Sequence, residues 1–82
     1  MKVEILTPSG KVCEAEAESV VLPGPDGLMG VLDNHAPMLA ELGEGEVELK
    51  GSQSSKYAVS GGFFQVEKKS LCILAESASS IS

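Results

Sequence analysis

Residues 46–67 read EVELKGSQSSKYAVSGGFFQVE, and this stretch decides the fold. Glu46–Lys50 alternates apolar and charged residues, which is the pattern of a strand with one buried and one solvent-facing side. The polar segment Gly51–Ser55 then predicts a hairpin loop, and Lys56–Ser60 predicts a strand that pairs back on the first. The stretch therefore indicates antiparallel β-structure.

A double glycine divides the second half of this stretch. Gly61-Gly62 lacks side chains, so it predicts a bend at which two backbone segments approach closely. Phe63–Glu67, a turn at residues 68–70 and Leu71–Ala75 predict a final hairpin. Residues 71–74 read LCIL and are apolar on both faces, which is typical of a central strand.

The same pattern of short apolar segments and turn residues continues towards the N-terminus. Proline and glycine mark the turns, because proline fixes φ and glycine accepts positive φ. Further strands are predicted over Lys2–Thr7, Lys11–Glu16, Ser19–Leu22, Leu28–Leu32 and Ala36–Leu42. No segment sustains the spacing of an amphipathic helix. We therefore predict an all-β domain, a flattened β-sandwich or barrel of roughly ten short strands.

The composition of the chain bounds its possible functions. Its 82 residues suit one domain, which we place at residues 1–78, with a frayed serine-rich tail at residues 79–82. An apolar fraction of 43% argues against disorder. A net charge of −6 disfavours nucleic acid and anionic membrane surfaces as partners. The sequence shows neither a secretory signal nor an apolar run that could insert into a bilayer.

The residues that could carry chemistry are few. Cys13 and Cys72 each lie in an apolar strand pattern, so we expect buried free thiols rather than a disulfide. One histidine without a Cys-x-x-Cys pair provides no zinc ligand set. Ser60 lacks the preceding glycine of a nucleophile elbow, and no paired carboxylates stand out. We therefore predict no catalytic, cofactor-binding or metal-binding residue.

The segment Pro23–Leu39, PGPDGLMGVLDNHAPML, predicts a stiff loop that offers a docking surface. Leu28 and Met29 are apolar residues between glycines, so they suit an exposed docking tip. Met29 suits a cap on the end of the core equally well. The sole histidine, His35, is held at a fixed angle because Pro37 restricts the residue before it to extended geometry, and a structural or interface role is predicted for it.

Five motifs in collinear order resemble the ε subunits of bacterial F-type ATP synthases. The match runs from Val3 to Ala78 and so covers nearly the whole chain. Each motif alone is modest, and the assignment depends on their order and spacing. The motifs are VEILTP at residues 3–8, SVVLPGPDGLMGVL at residues 19–32, HAPML at residues 35–39, YAVSGGF at residues 57–63 and LAESA at residues 74–78.

This resemblance implies a flattened β-sandwich in the central stalk, or rotor, of an ATP synthase. It implies binding to the γ subunit and to the membrane c-ring within a hetero-oligomeric complex, and coupling of ion-driven rotation to ATP synthesis. Catalysis and nucleotide binding would lie in other subunits, and the chain would sit on the cytoplasmic face of the bacterial inner membrane without inserting into it. The resemblance places the following residues on the rim that faces γ and the c-ring: Asp26, Gly27, Leu28, Met29, Gly30 and His35.

The chain departs from the family pattern at three places. Leu28 stands where many relatives carry a glutamate, so packing is expected there instead of an ion pair. Asp33-Asn34 replaces a Pro-Gly pair, which keeps a turn and adds a charge, and an acidic contact could thus move to Asp26 or Asp33. The sequence stops at Ser82, before the helical hairpin of full-length relatives, so neither inhibition of ATP hydrolysis nor ATP binding is expected of it.

Two other hypotheses remain open from the residues alone. One is a free-standing β-sandwich that binds proteins outside any ATP synthase. The other is a small enzyme that uses His35, for which the sequence supplies no second catalytic group.

Overall fold

The computed structural model describes residues 1–52 and 54–81, and all regular elements in this part of the chain are strands. There are eight of them, and two are much longer than the rest. In chain order they are β1 (Lys2–Thr7), β2 (Gly10–Glu16), β3 (Ser19–Gly24), β4 (Gly27–Leu32), β5 (Met38–Glu41), β6 (Gly45–Lys50), β7 (Ser55–Glu67) and β8 (Ser70–Ile81).

The strands form one continuous sheet in the order β2-β1-β8-β7-β6-β3-β4, with β5 paired to β7 outside this path. All neighbours are antiparallel except β1 and β8, which run parallel. The predicted hairpin of β6 and β7 is confirmed, with Val47 opposite Tyr57. Of the loop predicted between them, Gln53 lies outside the described residues.

The sheet folds over at Gly61 and Gly62, in the middle of β7. Both glycines have positive φ, at 50° and 118°. Before this bend β7 pairs with β6, and after it β7 pairs with β5, while β8 follows β7 along its full length. One layer therefore contains β2, β1, β5 and the parts of β7 and β8 next to their connecting turn, residues 63–67 and 70–75. The other layer contains β6, β3, β4 and the remaining parts of the long hairpin, residues 55–60 and 77–81.

The two layers enclose a single hydrophobic core, because inward-facing residues of both form one cluster. The phenol of Tyr57 in one layer lies against the thiol of Cys13 in the other, and hydrogen bonding to that thiol, with burial, raises the pKa of Tyr57. No polar or charged residue is buried among those described. The largest fully buried side chains are Phe64, Ile5, Leu22, Leu49, Leu71, Ile73, Val3, Val20, Val31, Val47 and Val66.

The all-β sandwich predicted from the sequence is confirmed, with differences in how its strands are divided. The strands predicted at residues 56–60 and 63–67 are one strand, β7, because the backbone keeps its register with β8 through the bend. Counting each half of β7 and β8 separately gives ten strand segments. The frayed tail predicted at residues 79–82 is wrong for residues 79–81, which pair with β7; Ser82 lies outside the described residues.

Cys13 and Cys72 are free thiols, as predicted, and they lie on opposite faces of their layer. Cys13 pairs with Ile5 and shares its buried face, whereas Cys72 adjoins the buried Ile73 and therefore points the other way. The prediction that both are buried is wrong for Cys72, which is half-buried on the outer face. Partial burial and the nearby charge of Glu4 raise the pKa of the Cys72 thiol.

The bend provides a direct test of the fold. At Gly62 an added Cβ would overlap the carbonyl oxygen of Leu74, and the positive φ is unfavourable for any other residue. We expect Gly62→Ala to lower the free energy of unfolding by more than ~3 kcal/mol, measured by urea denaturation. The control is Gly30→Ala, where an added Cβ meets nothing within 4 Å, and its expected effect is within about 0.5 kcal/mol. Equal urea midpoints for the two variants would contradict the close approach of Gly62 to the Leu74 carbonyl.

Candidate docking surface

The hairpin of β3 and β4 carries most of the predicted interface residues. Its strands pair from Ser19 opposite Leu32 to Gly24 opposite Gly27, so Pro25 and Asp26 form the two-residue tip. Gly27 has a φ of 116°, a conformation that glycine adopts without strain. Pro25, Asp26, Gly27 and Leu28 are all exposed. The hairpin therefore projects a short, conformationally restricted tip into solvent.

Leu28 and Met29 point to opposite sides of β4. Leu28 is 77% exposed, whereas Met29 is half-buried and packs against the core from beneath the hairpin. The alternation continues, because Val31 is fully buried and Leu32 is 63% exposed. Of the two roles left open for Met29, the structure supports the cap on the core, and Leu28 provides the exposed apolar side chain.

His35 lies at the end of β4, where the chain turns towards β5. The backbone N–H of His35 donates to the carbonyl of Leu32 at 3.1 Å, and Asn34 within this turn has a φ of 67°. The expected turn at Asp33-Asn34 is therefore present. The Nδ1 atom of His35 lies 2.7 Å from the Ala36 carbonyl oxygen. Since a carbonyl only accepts, Nδ1 carries the hydrogen, and Nε2 of the neutral ring is left as an acceptor.

We use "the rim" for the six predicted interface residues Asp26, Gly27, Leu28, Met29, Gly30 and His35. Five of them lie on the tip and β4, and His35 follows one turn beyond the strand. Asp26 and Asp33 are exposed acidic groups at the two ends of β4. A shallow depression of about 290 Å³ runs between the tip and Met38. The rim therefore combines the exposed apolar side chain of Leu28 with the charge of Asp26, while Asp33, beyond the strand, lies 4.0 Å from the N-terminal amine of Met1.

A second apolar surface was not predicted from the sequence. Leu6, Leu74 and Phe63 lie side by side on β1, β8 and β7, on the outer face of the first layer. Phe63 is 52% and Leu74 45% exposed, and a depression of about 350 Å³ lies beside them. Leu39 on β5 is also exposed on this face. The sequence feature that could have indicated this surface is the segment 71–74. It is apolar on both faces, although only one face enters the core.

The described residues offer little for other kinds of site. No three His, Cys, Asp or Glu side chains within residues 1–52 and 54–81 are grouped as a metal site requires. No helix in the same ranges is long and apolar enough to cross a membrane. What the described part of the chain presents is two apolar surfaces on one small sandwich.

These features define a two-layered β-sandwich with an exposed hairpin rim, and comparison with known proteins identifies its family. The chain belongs to the family described as ATP synthase, Delta/Epsilon chain, beta-sandwich domain, whose model matches residues 1–81. The resemblance noted from the motifs is thereby confirmed.

Curated relatives are ATP synthase epsilon chains. The chain is 42% identical over 78 residues to the sodium ion specific epsilon chain of Propionigenium modestum, covering 94% of this chain and 57% of that one. It is 44% identical over 79 residues to the epsilon chain of Anoxybacillus flavithermus, covering 95% and 59%. The chain thus spans about three-fifths of the length of these relatives.

Two solved structures share the fold. One is the Euglena gracilis mitochondrial ATP synthase OSCP/F1/c-ring, with a TM-score of 0.86 at 22% identity, covering 95% of this chain and 51% of that one. The other is the Tetrahymena thermophila mitochondrial ATP synthase central stalk and c-ring, with a TM-score of 0.80 at 14% identity, covering 96% and 65%. At these identities the likeness shows the fold alone.

The opposite orientations of Leu28 and Met29 predict different effects on stability. We expect Leu28→Ala to change the free energy of unfolding by less than about 0.5 kcal/mol, because its side chain makes few contacts. Met29→Ala removes packing against the core, and we expect a loss of about 1–2 kcal/mol. Urea denaturation of both variants measures the difference. A larger loss of unfolding free energy for Leu28→Ala than for Met29→Ala would show that the side chains of β4 point the opposite way.

Proposed function

We propose that this chain is a central-stalk subunit of an F-type ATP synthase that binds the γ subunit and the c-ring. In this role it couples ion-driven rotation to ATP synthesis, and the catalytic residues lie in other subunits. The single observation that carries the proposal is the family match over residues 1–81. The names of the curated relatives agree with it, since they are epsilon chains of ATP synthases.

The distribution of exposed apolar residues supports binding to two partners. A subunit held between γ and the c-ring needs two separate contact surfaces, and exposed apolar patches commonly mark such contacts. Leu28 of the rim lies on β4, in one layer, and Phe63 of the second apolar surface lies on the outer face of the other layer. One small sandwich thus offers two apolar contact surfaces without any rearrangement.

The proposed location follows from the proposed partners. Through them the chain would be held on the cytoplasmic face of the bacterial inner membrane, attached to the complex and not inserted into the bilayer. The net charge of −6 supports attachment through protein, because anionic lipid surfaces attract basic faces.

Two alanine variants test this function. We expect Leu28→Ala and Phe63→Ala each to weaken binding to at least one of the purified γ subunit and c-ring by about tenfold, because each removes an exposed apolar anchor. Biolayer interferometry against each partner measures the affinities. Ile81→Ala is the matched control, because Ile81 is also exposed but lies opposite Lys56 at the end of β8, outside both surfaces, and its binding should match that of the unmodified chain.

The outcomes separate the hypotheses. If the unmodified chain binds neither γ nor the c-ring, the central-stalk role is wrong and the free-standing binding module becomes the better hypothesis. If binding is retained in both variants, the chain uses other surfaces and the assignment of these two is wrong.

A further inference from the structure

β4 is an edge strand with no charged residue. Among the described residues it pairs only with β3, and its sequence is GLMGVL. Unpaired edges are usually protected by charge, by shortness or by a cover. β2, at the other end of the sheet order, carries Lys11 and Glu14, whose side chains form an ion pair at 2.7 Å. β5 is only four residues long. β4 has neither kind of protection over its six residues.

The direction of the Pro23 carbonyl shows which backbone groups of β4 face the open edge. Pro23 lies opposite Leu28, and its carbonyl accepts a hydrogen bond at 2.8 Å from the N–H of Gly43, on the side of β3 away from β4. Residues directly opposite in an antiparallel pair point their backbone groups either both towards or both away from each other. The N–H and C=O of Leu28 therefore point away from β3.

Because these directions alternate along a strand, Gly30 repeats the orientation of Leu28, and Met29 between them bonds to β3. The open edge ends at Leu32, whose carbonyl is already occupied by the N–H of His35. At its centre, Gly30 has no side chain, and an added Cβ would meet nothing within 4 Å. The edge thus presents two consecutive outward-facing donor–acceptor pairs, and Gly30 leaves the sheet face beside them open.

We propose that the rim recognises its partner by strand addition, with an extended segment of the partner polypeptide pairing to the backbone of Leu28 and Gly30. This inference rests on the proposed function and specifies how the rim binds. Main-chain hydrogen bonds provide affinity in this mode, and alternate side chains provide specificity. Side chains of the added strand that lie beside Leu28 and Leu32 are apolar.

The charges of the chain specify the rest of the partner segment. Asp26 lies at the tip end of the open edge, whereas Asp33 at the other end is 4.0 Å from the N-terminal amine of Met1, so a lysine or arginine of the added strand beside Asp26 complements the edge. A second copy of this chain is a poor occupant by the same criterion. Pairing of β4 with its copy would bring acidic residues of two chains with a charge of −6 to the same edge.

Gly30→Pro and Gly30→Ala separate backbone recognition from side-chain recognition. Proline removes the outward N–H and places its ring where the added strand must lie, but it leaves the β3–β4 hydrogen bonds intact. Alanine keeps the N–H. We expect Gly30→Pro to bind whichever of the purified γ subunit and c-ring contacts the rim at least about tenfold more weakly than Gly30→Ala does.

A second measurement does not depend on the folding of the proline variant. Amide hydrogen exchange of the unmodified chain, free and bound, should show about tenfold or greater protection of the Leu28 and Gly30 N–H groups on binding, because both become hydrogen-bonded. The Met29 N–H is already bonded to β3, so it serves as the internal reference and should change little.

The results distinguish failure of strand addition from failure of the proposed function. If the unmodified chain binds γ or the c-ring, but Gly30→Pro binds equally well or the two amides remain unprotected, strand addition is overturned and the proposed function stands. If the unmodified chain binds neither partner, the proposed function itself fails. If sedimentation shows a dimer that Gly30→Pro abolishes, a second copy occupies the edge and the proposal is also overturned.

Discussion

The close approach of Gly62 to the carbonyl of Leu74 is the constraint on which the structure depends. The hairpin of β7 and β8 supplies strands to both layers, so it must fold over without losing its pairing. It does so where two glycines at positive φ bring its two strands together, leaving no room for a Cβ at Gly62. The Gly62 carbonyl also accepts the N–H of Leu42 at 2.9 Å, which ties the end of β5 to the same point.

This bend of the β7–β8 hairpin at Gly62, which we call the crossing, also determines where the exposed apolar residues lie. Phe63 follows Gly62 directly, and Leu74 supplies the carbonyl that Gly62 approaches, so the second apolar surface is centred on the crossing itself. The rim lies in the other layer, at the end of the sheet order. Because the hairpin joins both layers in one register, the two surfaces are held in a fixed relation to each other. Such a relation would suit the proposed role, in which the chain contacts two partners at once.

The sequence predicted the strands with clear alternation and missed features that depend on pairing across the sheet. The β6 pattern is legible because its inward and outward residues differ in polarity. A pair of glycines either ends a strand or bends it, and only the unbroken register with β8 shows that β7 continues. Ser77 to Ser80 have no apolar period, yet they pair with β7 because the hairpin extends past the crossing. The facing of Leu28 and Met29 depends on which partner residue each opposes, and composition does not reveal this.

Strand addition also bears on the departure of this chain from its family pattern at Leu28. The resemblance places a glutamate there in many relatives, and a contact made by that side chain would be lost with the change to leucine. A contact made by the N–H and C=O of residue 28 is unaffected, since every residue except proline carries both groups. The backbone contact therefore survives the change from glutamate to leucine, the leucine side chain adds an apolar contact of its own, and Asp26 at the end of the same edge can supply the charge that complements the partner.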